Sequence, residues 1–362
     1  MRENVTESGS RLMFDLVHAL GDQLVESFHL DGLAEIRPPA EGLGRIILCG
    51  MGGSAIAGDL VQPLLAEGRV SLEVWRDYGL PHWVGPEDLV LCSSYSGDTE
   101  ETLDAAQEAG KRGCTRLAIT SGGSLAALAA AEGFPAVILP GGLPPRASLG
   151  LGLGALVRSL GRLGLVDDAH TVLAGTSETL ANFRASRMYP AGPAGADQGN
   201  LPEDPEGNTP AAELARILVG RVPVIYTAGA EAHAAGLRLK AQLNENSKVP
   251  ACLAAFPELN HNDLVGWSLD PADRGRFVLL ILKGMSDNER IGRRVDLTRQ
   301  LLAEEFPEIH EISSSAPGVL DRTLSLVQYG DFLSCHLARL RRVDPLPVHR
   351  ISRLKEALEK PE

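Results

Sequence analysis

Residues 89–113 constrain the fold of this chain most tightly. An apolar tetrapeptide, a cluster of hydroxyls and an amphipathic stretch follow one another without a break: LVLC, SSYSGDT, EETLDAAQEAGKRG. Leu89 to Cys92 are apolar at every position, the pattern of a buried strand. Ser93 to Thr99 form a dense hydroxyl loop, and a helix begins directly behind it. Asp98 and Glu101 have capping-box spacing. Lys111, Arg112 and Gly113 close the helix with cations and a C-terminal glycine.

The loop is a candidate anion site. Free backbone N–H groups and the positive end of the helix dipole point at it. Ser94, Ser96 and Thr99 add side-chain donors, and Gly97 lets backbone approach closely. The loop holds no Lys, so it is not a Walker-type nucleotide loop. It suits a phosphate held by neutral donors, as on a sugar phosphate. Glu100 and Glu101 are expected to face outward, where they complement the dipole. A turn that merely caps its helix is the alternative.

With 362 residues the chain has room for one large or two medium domains. Abundant Gly and Ala with few aromatics favour close-packed α/β layers. A net charge of −13 argues against a nucleic-acid or anionic-membrane surface. No apolar run reaches membrane-spanning length, and the first residues lack the apolar core of a signal peptide. Cys49, Cys92, Cys114, Cys252 and Cys335 form no CxxC pair, which speaks against zinc. Most of them lie in apolar runs. A reducing cytoplasm is the expected location.

Residues 10–29 show helical periodicity through Leu12, Leu16, Leu20, Leu24 and Phe28. Strands are expected at Arg45–Cys49, Val70–Trp75, Thr115–Thr120 and Ala136–Leu139. Gly50-Met51-Gly52-Gly53-Ser54-Ala55 follows the first, a variant of the dinucleotide fingerprint, with Asp77 as a possible ribose acid. Nicotinamide chemistry is therefore one alternative; tight strand–helix packing explains the glycines equally. Arg146 lies in the proline-rich loop 140–150, at the carboxyl end of a strand, where α/β sheets place ligands. Leu149–Leu165 reads as a long apolar helix covering a subunit contact. Residues 186–210, rich in Gly, Pro and acids, read as a flexible connection. The second half then restarts the pattern. Val222–Thr227 and Phe277–Leu282 are strands, and setting Gly50 on Ala228 puts Gly58 on Gly236, an offset of 178. A diverged two-fold repeat is expected, with only the first copy keeping its serine loop. Glu245 and His261 lie in two polar blocks of the second half and supply acid–base side chains, although a helix-end acid and a loop histidine would look the same.

The serine loop resembles the phosphate signature of SIS (sugar isomerase) domains, and its form SYSGxTEET is similar to that of the bifunctional phosphoglucose/phosphomannose isomerases. Four further blocks match that family in order: GMGGS, Pro145-Arg146-Ala147, Asn244-Glu245-Asn246-Ser247-Lys248 with Pro257-Glu258-Leu259-Asn260-His261-Asn262, and Asp344-Pro345-Leu346-Pro347-Val348 running on to Leu354-Lys355. The family usually has Asn where this chain has Asp98. A carboxylate facing phosphate would repel it, so Asp98 is read as the cap of its own helix.

The resemblance implies an α/β fold of two SIS-type, flavodoxin-like domains, each a mainly parallel sheet flanked by helices. The expected boundaries are 1–40 for a helical lead-in, 41–185 and 211–342 for the domains, 186–210 for the linker and 343–362 for a closing helix. It implies interconversion of glucose 6-phosphate and mannose 6-phosphate with fructose 6-phosphate, with no cofactor and no metal. Phosphate and substrate would be held by Gly53, Ser54, Ser94, Ser96 and Thr99. Glu245 would be the base and Arg146 would face the enediolate, while His261 and Lys355 would assist ring opening. It also implies a homodimer in which His261 enters the neighbouring site, helped by the apolar cluster Leu264, Val265 and Trp267. A non-catalytic sugar-phosphate sensor is the other alternative. No nucleic acid and no membrane are expected as partners.

Overall fold

The computed structural model describes residues 7–38, 42–66, 68–184, 209–285 and 288–358. Behind α1 (Glu7–His18) and α2 (Leu20–Glu26), strands and helices alternate: β1 (Ile46–Gly50), α3 (Gly52–Val61), β2 (Leu72–Trp75), β3 (Leu89–Ser93), α4 (Glu100–Lys111), β4 (Thr115–Thr120), α5 (Gly123–Glu132) and β5 (Ala136–Ile138). Two helices follow, α6 (Leu149–Arg162) and α7 (Ala169–Phe183). The second half runs α8 (Pro210–Leu218), β6 (Val222–Ala228), α9 (Ala230–Glu245), β7 (Cys252–Ala255), the single turn α10 (Asp263–Gly266), β8 (Phe277–Lys283), α11 (Glu289–Leu301), β9 (Ile309–Ser313), α12 (Val319–Leu340) and α13 (His349–Leu358).

The strands form two sheets, in the orders β2-β1-β3-β4-β5 and β7-β6-β8-β9, and every neighbouring pair is parallel. The β1 and β3 strands are buried at every residue, which is why their sequences are unbroken apolar runs. Ile46 and Leu48 face a core shared by both halves of the chain, whereas Ile47 and Cys49 face a separate core under α4 and α5. A third cluster, around Tyr226, Phe256 and Phe306, lies on the second sheet.

The two-fold repeat is present. Both sheets begin with a central strand whose next strand pairs on one side and whose third pairs on the other. A Cβ on Gly58 would meet Leu48 and Val74, a cross-strand pair of β1 and β2. A Cβ on Gly236 would meet Ile225 and Leu253, the matching pair of β6 and β7. Each glycine lets the first helix of its half lie close on the first two strands.

One expectation changes, and another lies largely outside the described residues. The stripe over residues 10–29 is not one helix: the chain breaks at Ala19, and Leu12 is exposed while Met13 and Val17 are buried. A spacing of four drifts around a 3.6-residue turn, so the stripe winds off the packed face. The apolar residues of the helix after Arg146 pack inside their own chain, α6 lying against α2, α3 and α7. Residues 186–208 of the expected linker lie outside the described residues. Its end is described: Thr209 accepts from the Ala212 amide at 3.2 Å and Pro210 opens α8. Among the described residues no helix is long and apolar enough to cross a membrane.

Candidate active site

In the first sheet the strand order reverses between β1 and β3, and a crevice opens at the carboxyl ends of such strands. Register sets Gly50 beside Ser93. The GMGGS turn and the serine loop are thereby neighbours, and the Tyr95 amide donates to Ser54 Oγ at 3.1 Å. Ser94 is buried; its Oγ accepts from the Gly97 amide at 3.1 Å and lies 2.8 Å from the Thr99 hydroxyl. Ser96 is exposed, and its hydroxyl accepts from the Asp98 amide at 3.3 Å. Thr99 is the N-cap residue of α4 but makes no side-chain cap bond, so the first amides of α4 keep their donors for a ligand. Glu100 turns away to accept from the Tyr78 hydroxyl at 3.0 Å.

Asp98 does not cap its own helix. Its Oδ1 accepts from the Ser124 amide at 2.9 Å, at the start of α5. That bond holds the Asp98 carboxyl below its ordinary value. The charge is directed at the next helix rather than into the loop, and an Asn at this position could accept the same bond.

Arg146 sits in a short turn of Pro145–Ala147 beyond β5. A Cβ on Gly53 would lie 2.9 Å from the Pro145 carbonyl oxygen, so Gly53 is the floor on which this turn rests. Asp77 accepts from the adjacent Tyr78 amide. These contacts add nothing to the nicotinamide alternative.

The Arg146 side chain is 6% exposed and crosses to the second half. Nε donates to Asn246 Oδ1 at 2.8 Å, and Nη2 donates to the Pro345 and Leu346 carbonyls at 2.7 and 3.0 Å. Nη1 alone is turned to the Glu245 carboxylate, 3.5 Å from Oε2. At that distance the contact is an ion pair rather than a tight hydrogen bond. Burial lowers the pKa of Arg146 and the neighbouring Glu245 opposes it; a guanidinium remains charged regardless.

Glu245 is the last residue of α9 and is held from below. Lys248 donates to the Glu245 carbonyl at 2.5 Å and to the Pro347 carbonyl at 2.7 Å. Asn246 Nδ2 donates to Ser334 at 3.0 Å. The NENSK and DPLPV blocks are therefore one structure, stitched by Arg146 and Lys248. Lys248 and Asn246 were legible as members of a block, without a role.

His261 and Lys355 stand elsewhere. His261 is exposed on the turn Glu258–His261 beyond β7, and Lys355 is exposed on α13. Among the described residues no hydrogen bond or ion pair joins either to Arg146 or Glu245. The apolar cluster expected at an interface behind His261 is mostly internal. Trp267 packs its ring against Phe277 and Phe306 and donates to the Tyr226 hydroxyl at 2.6 Å. Only Val265, 80% exposed, is free of the core.

In the second half the matching crevice is filled from within. Ala228 pairs with Lys283 as Gly50 pairs with Ser93, which sets Met285 where Tyr95 stands. The Met285 amide points at Glu231 Oε2 across 3.4 Å, and Arg322 grips that carboxylate at 2.6 and 3.0 Å. By the offset of 178, Glu231 takes the place of Gly53. Ser286 and Asp287 of this loop lie outside the described residues.

Residues 207–358 match the family described as the bacterial phospho-glucose isomerase C-terminal SIS domain. The bifunctional phosphoglucose/phosphomannose isomerase of Caldicellulosiruptor bescii is 34% identical over 96% of this chain and 98% of its own. That of Aquifex aeolicus is 35% identical over 95% and 98%. A solved structure of a hypothetical protein from Thermus thermophilus shares the fold, with a TM-score of 0.69 at 17% identity, over 98% of this chain and 94% of that one. The chain belongs to the family of bifunctional phosphoglucose/phosphomannose isomerases.

Proposed function

We propose that this chain interconverts glucose 6-phosphate and mannose 6-phosphate with fructose 6-phosphate through a cis-enediol. The observation that carries the reading is a carboxylate and a guanidinium, from opposite halves of the chain, set 3.5 Å apart with no other partner on that edge of the guanidinium among the described residues. Glu245 takes the proton from C2 of the open aldose and returns it to C1. Over the same cycle a proton leaves the C2 hydroxyl and one reaches O1, so the reaction is redox-neutral overall. Arg146 Nη1 faces the oxyanion that develops between these steps, where a fixed charge lowers the barrier most. Ser96, Thr99 and the first amides of α4 hold the phosphate, with Ser94 bracing the loop and Gly53 and Ser54 shaping its wall. A planar C2 in the enediol can be reprotonated to either epimer, which serves both aldoses.

Ring opening needs an acid, and we assign it to His261 with Lys355. Both stand apart from their own Arg146–Glu245 pair, which suits a homodimer in which His261 completes the neighbouring site. The exposed Val265 and the exposed stripe Ile351, Leu354 and Leu358 of α13 offer it apolar surface. A negatively charged chain with free cysteines suits the cytoplasm, away from nucleic acid and membranes.

The test is a coupled assay for fructose 6-phosphate from glucose 6-phosphate and, separately, from mannose 6-phosphate, without added cofactor or metal. Turnover of both is expected. Tight binding of either sugar without turnover would turn the reading into that of a sugar-phosphate sensor.

A further inference from the structure

The Arg146 guanidinium is aimed by its backbone, and that backbone is held from the other half of the chain. The Arg146 carbonyl accepts from Arg238 Nη2 at 2.9 Å. The same guanidinium meets Asp331 twice, Nε to Oδ1 at 2.9 Å and Nη2 to Oδ2 at 2.7 Å. Arg238 belongs to α9 and Asp331 to α12, with side chains 4% and 3% exposed. Folding alone gives little reason for ions here. Removing two charges from water costs several kcal/mol per ion, and an apolar pair of similar volume is often as stable or more so. What an apolar pair could not supply is the N–H that ends on Arg146. Seven residues separate Arg238 from Glu245 on one helix, two turns of rigid backbone. So α9 carries both the carboxylate and the clamp on the residue that faces it.

We propose that Arg238, held by Asp331, is a positioning residue for the isomerisation: it fixes the Arg146 backbone relative to α9, and so fixes Nη1 relative to the Glu245 carboxylate. This role rests on the reading of Arg146 as the oxyanion partner.

The test replaces the pair with apolar side chains, Arg238→Met with Asp331→Leu, beside the single change Arg146→Gln. Melting temperature, kcat and KM for glucose 6-phosphate are measured for each. The double variant leaves the buried Arg146 carbonyl without its donor and is expected to melt somewhat lower, to keep KM within about threefold, and to lose about 10–100-fold in kcat, as a misplacement on the order of 1 Å does. A merely structural pair would also lower the melting temperature but would leave kcat of the folded protein unchanged. Wild-type kcat in the folded double variant, with Arg146→Gln inactive, overturns the positioning role alone. Retained turnover in Arg146→Gln overturns the reading of Arg146 and this role with it. Should the double variant not fold, Asp331→Asn carries the test, since it keeps the shape and exchanges one acceptor oxygen for an N–H facing the guanidinium. There kcat falls several-fold at unchanged KM, and a wild-type kcat overturns the proposal.

Discussion

Arg146 Nη1 and Glu245 Oε2 stand 3.5 Å apart although 99 residues separate them in sequence. Every other edge of the guanidinium is committed: Nε to Asn246, Nη2 to the carbonyls of Pro345 and Leu346. One pair of N–H groups remains, and it faces the carboxylate.

That geometry makes Arg146→Lys a severe change. A Lys ammonium has no fork to bond Asn246 and the two carbonyls while still facing Glu245. We expect kcat to fall by about 10²–10³-fold, the loss typical of one oxyanion donor. KM should change little, because the phosphate is held by a different loop. Steady-state kinetics on fructose 6-phosphate formation decide it; a large rise in KM at constant kcat would make Arg146 a binding residue.

Ser96→Ala with Thr99→Val should act the other way. Each lost hydrogen bond to a charged phosphate is worth on the order of 1.5–3 kcal/mol, so KM should rise by at least about tenfold. Phosphate contacts are present in ground and transition states alike, so saturated turnover falls less. An unchanged KM would mean that phosphate lies outside the serine loop.

Asp98→Asn should leave catalysis unaltered, because the Ser124 amide can be accepted equally by an amide oxygen. Asp98→Ala should cost roughly 0.5–1 kcal/mol as α5 loses its cap. The carboxyl of Asp98 titrates below its ordinary value in the folded protein. Its contribution is therefore complete above the unfolded pKa, about 3.9, and is lost as pH falls through the lower folded value. Acid unfolding curves of the Asp98→Asn protein should lack that component. A rise in KM on Asp98→Ala, with stability unchanged, would place the carboxylate in the phosphate site instead.

What the sequence shows of this fold is what is local or periodic. Thr115–Thr120 is a strand over those same residues, and Gly58 and Gly236 are equivalent because each half needs a small residue where its first helix meets its first two strands. The serine loop and Arg146 were legible as blocks of residue types. What connects distant segments was not. The partner of Asp98 lies 26 residues on, beyond the reach of a capping rule that looks three residues ahead. Trp267 has the composition of an interface residue and the packing of a core residue, since only the fold brings Tyr226 and Phe306 to it. Arg238 and Asp331 sit in helical runs with no motif, and their tie to Arg146 exists only once α9 and α12 are packed.

Subunit complementation tests whether His261 serves a neighbouring site. Inactive Glu245→Gln is mixed with inactive His261→Ala under conditions that allow exchange. A mixed dimer would then hold one intact site and one doubly defective site. Random exchange makes half of the dimers mixed, so activity should return to about a quarter of wild type. No recovery after proven exchange, or a fully active monomer, would assign His261 to its own chain.

The most direct measurement of the central claim is turnover of the Glu245→Gln protein alone. The substitution keeps the shape at the end of α9 and removes the base. Positioned acid–base groups contribute about 10²–10⁴-fold, so fructose 6-phosphate formation should fall by at least about 100-fold while glucose 6-phosphate still binds, as calorimetry would register. Turnover within about tenfold of wild type would contradict the assignment, because a site that had lost its general base could not sustain it.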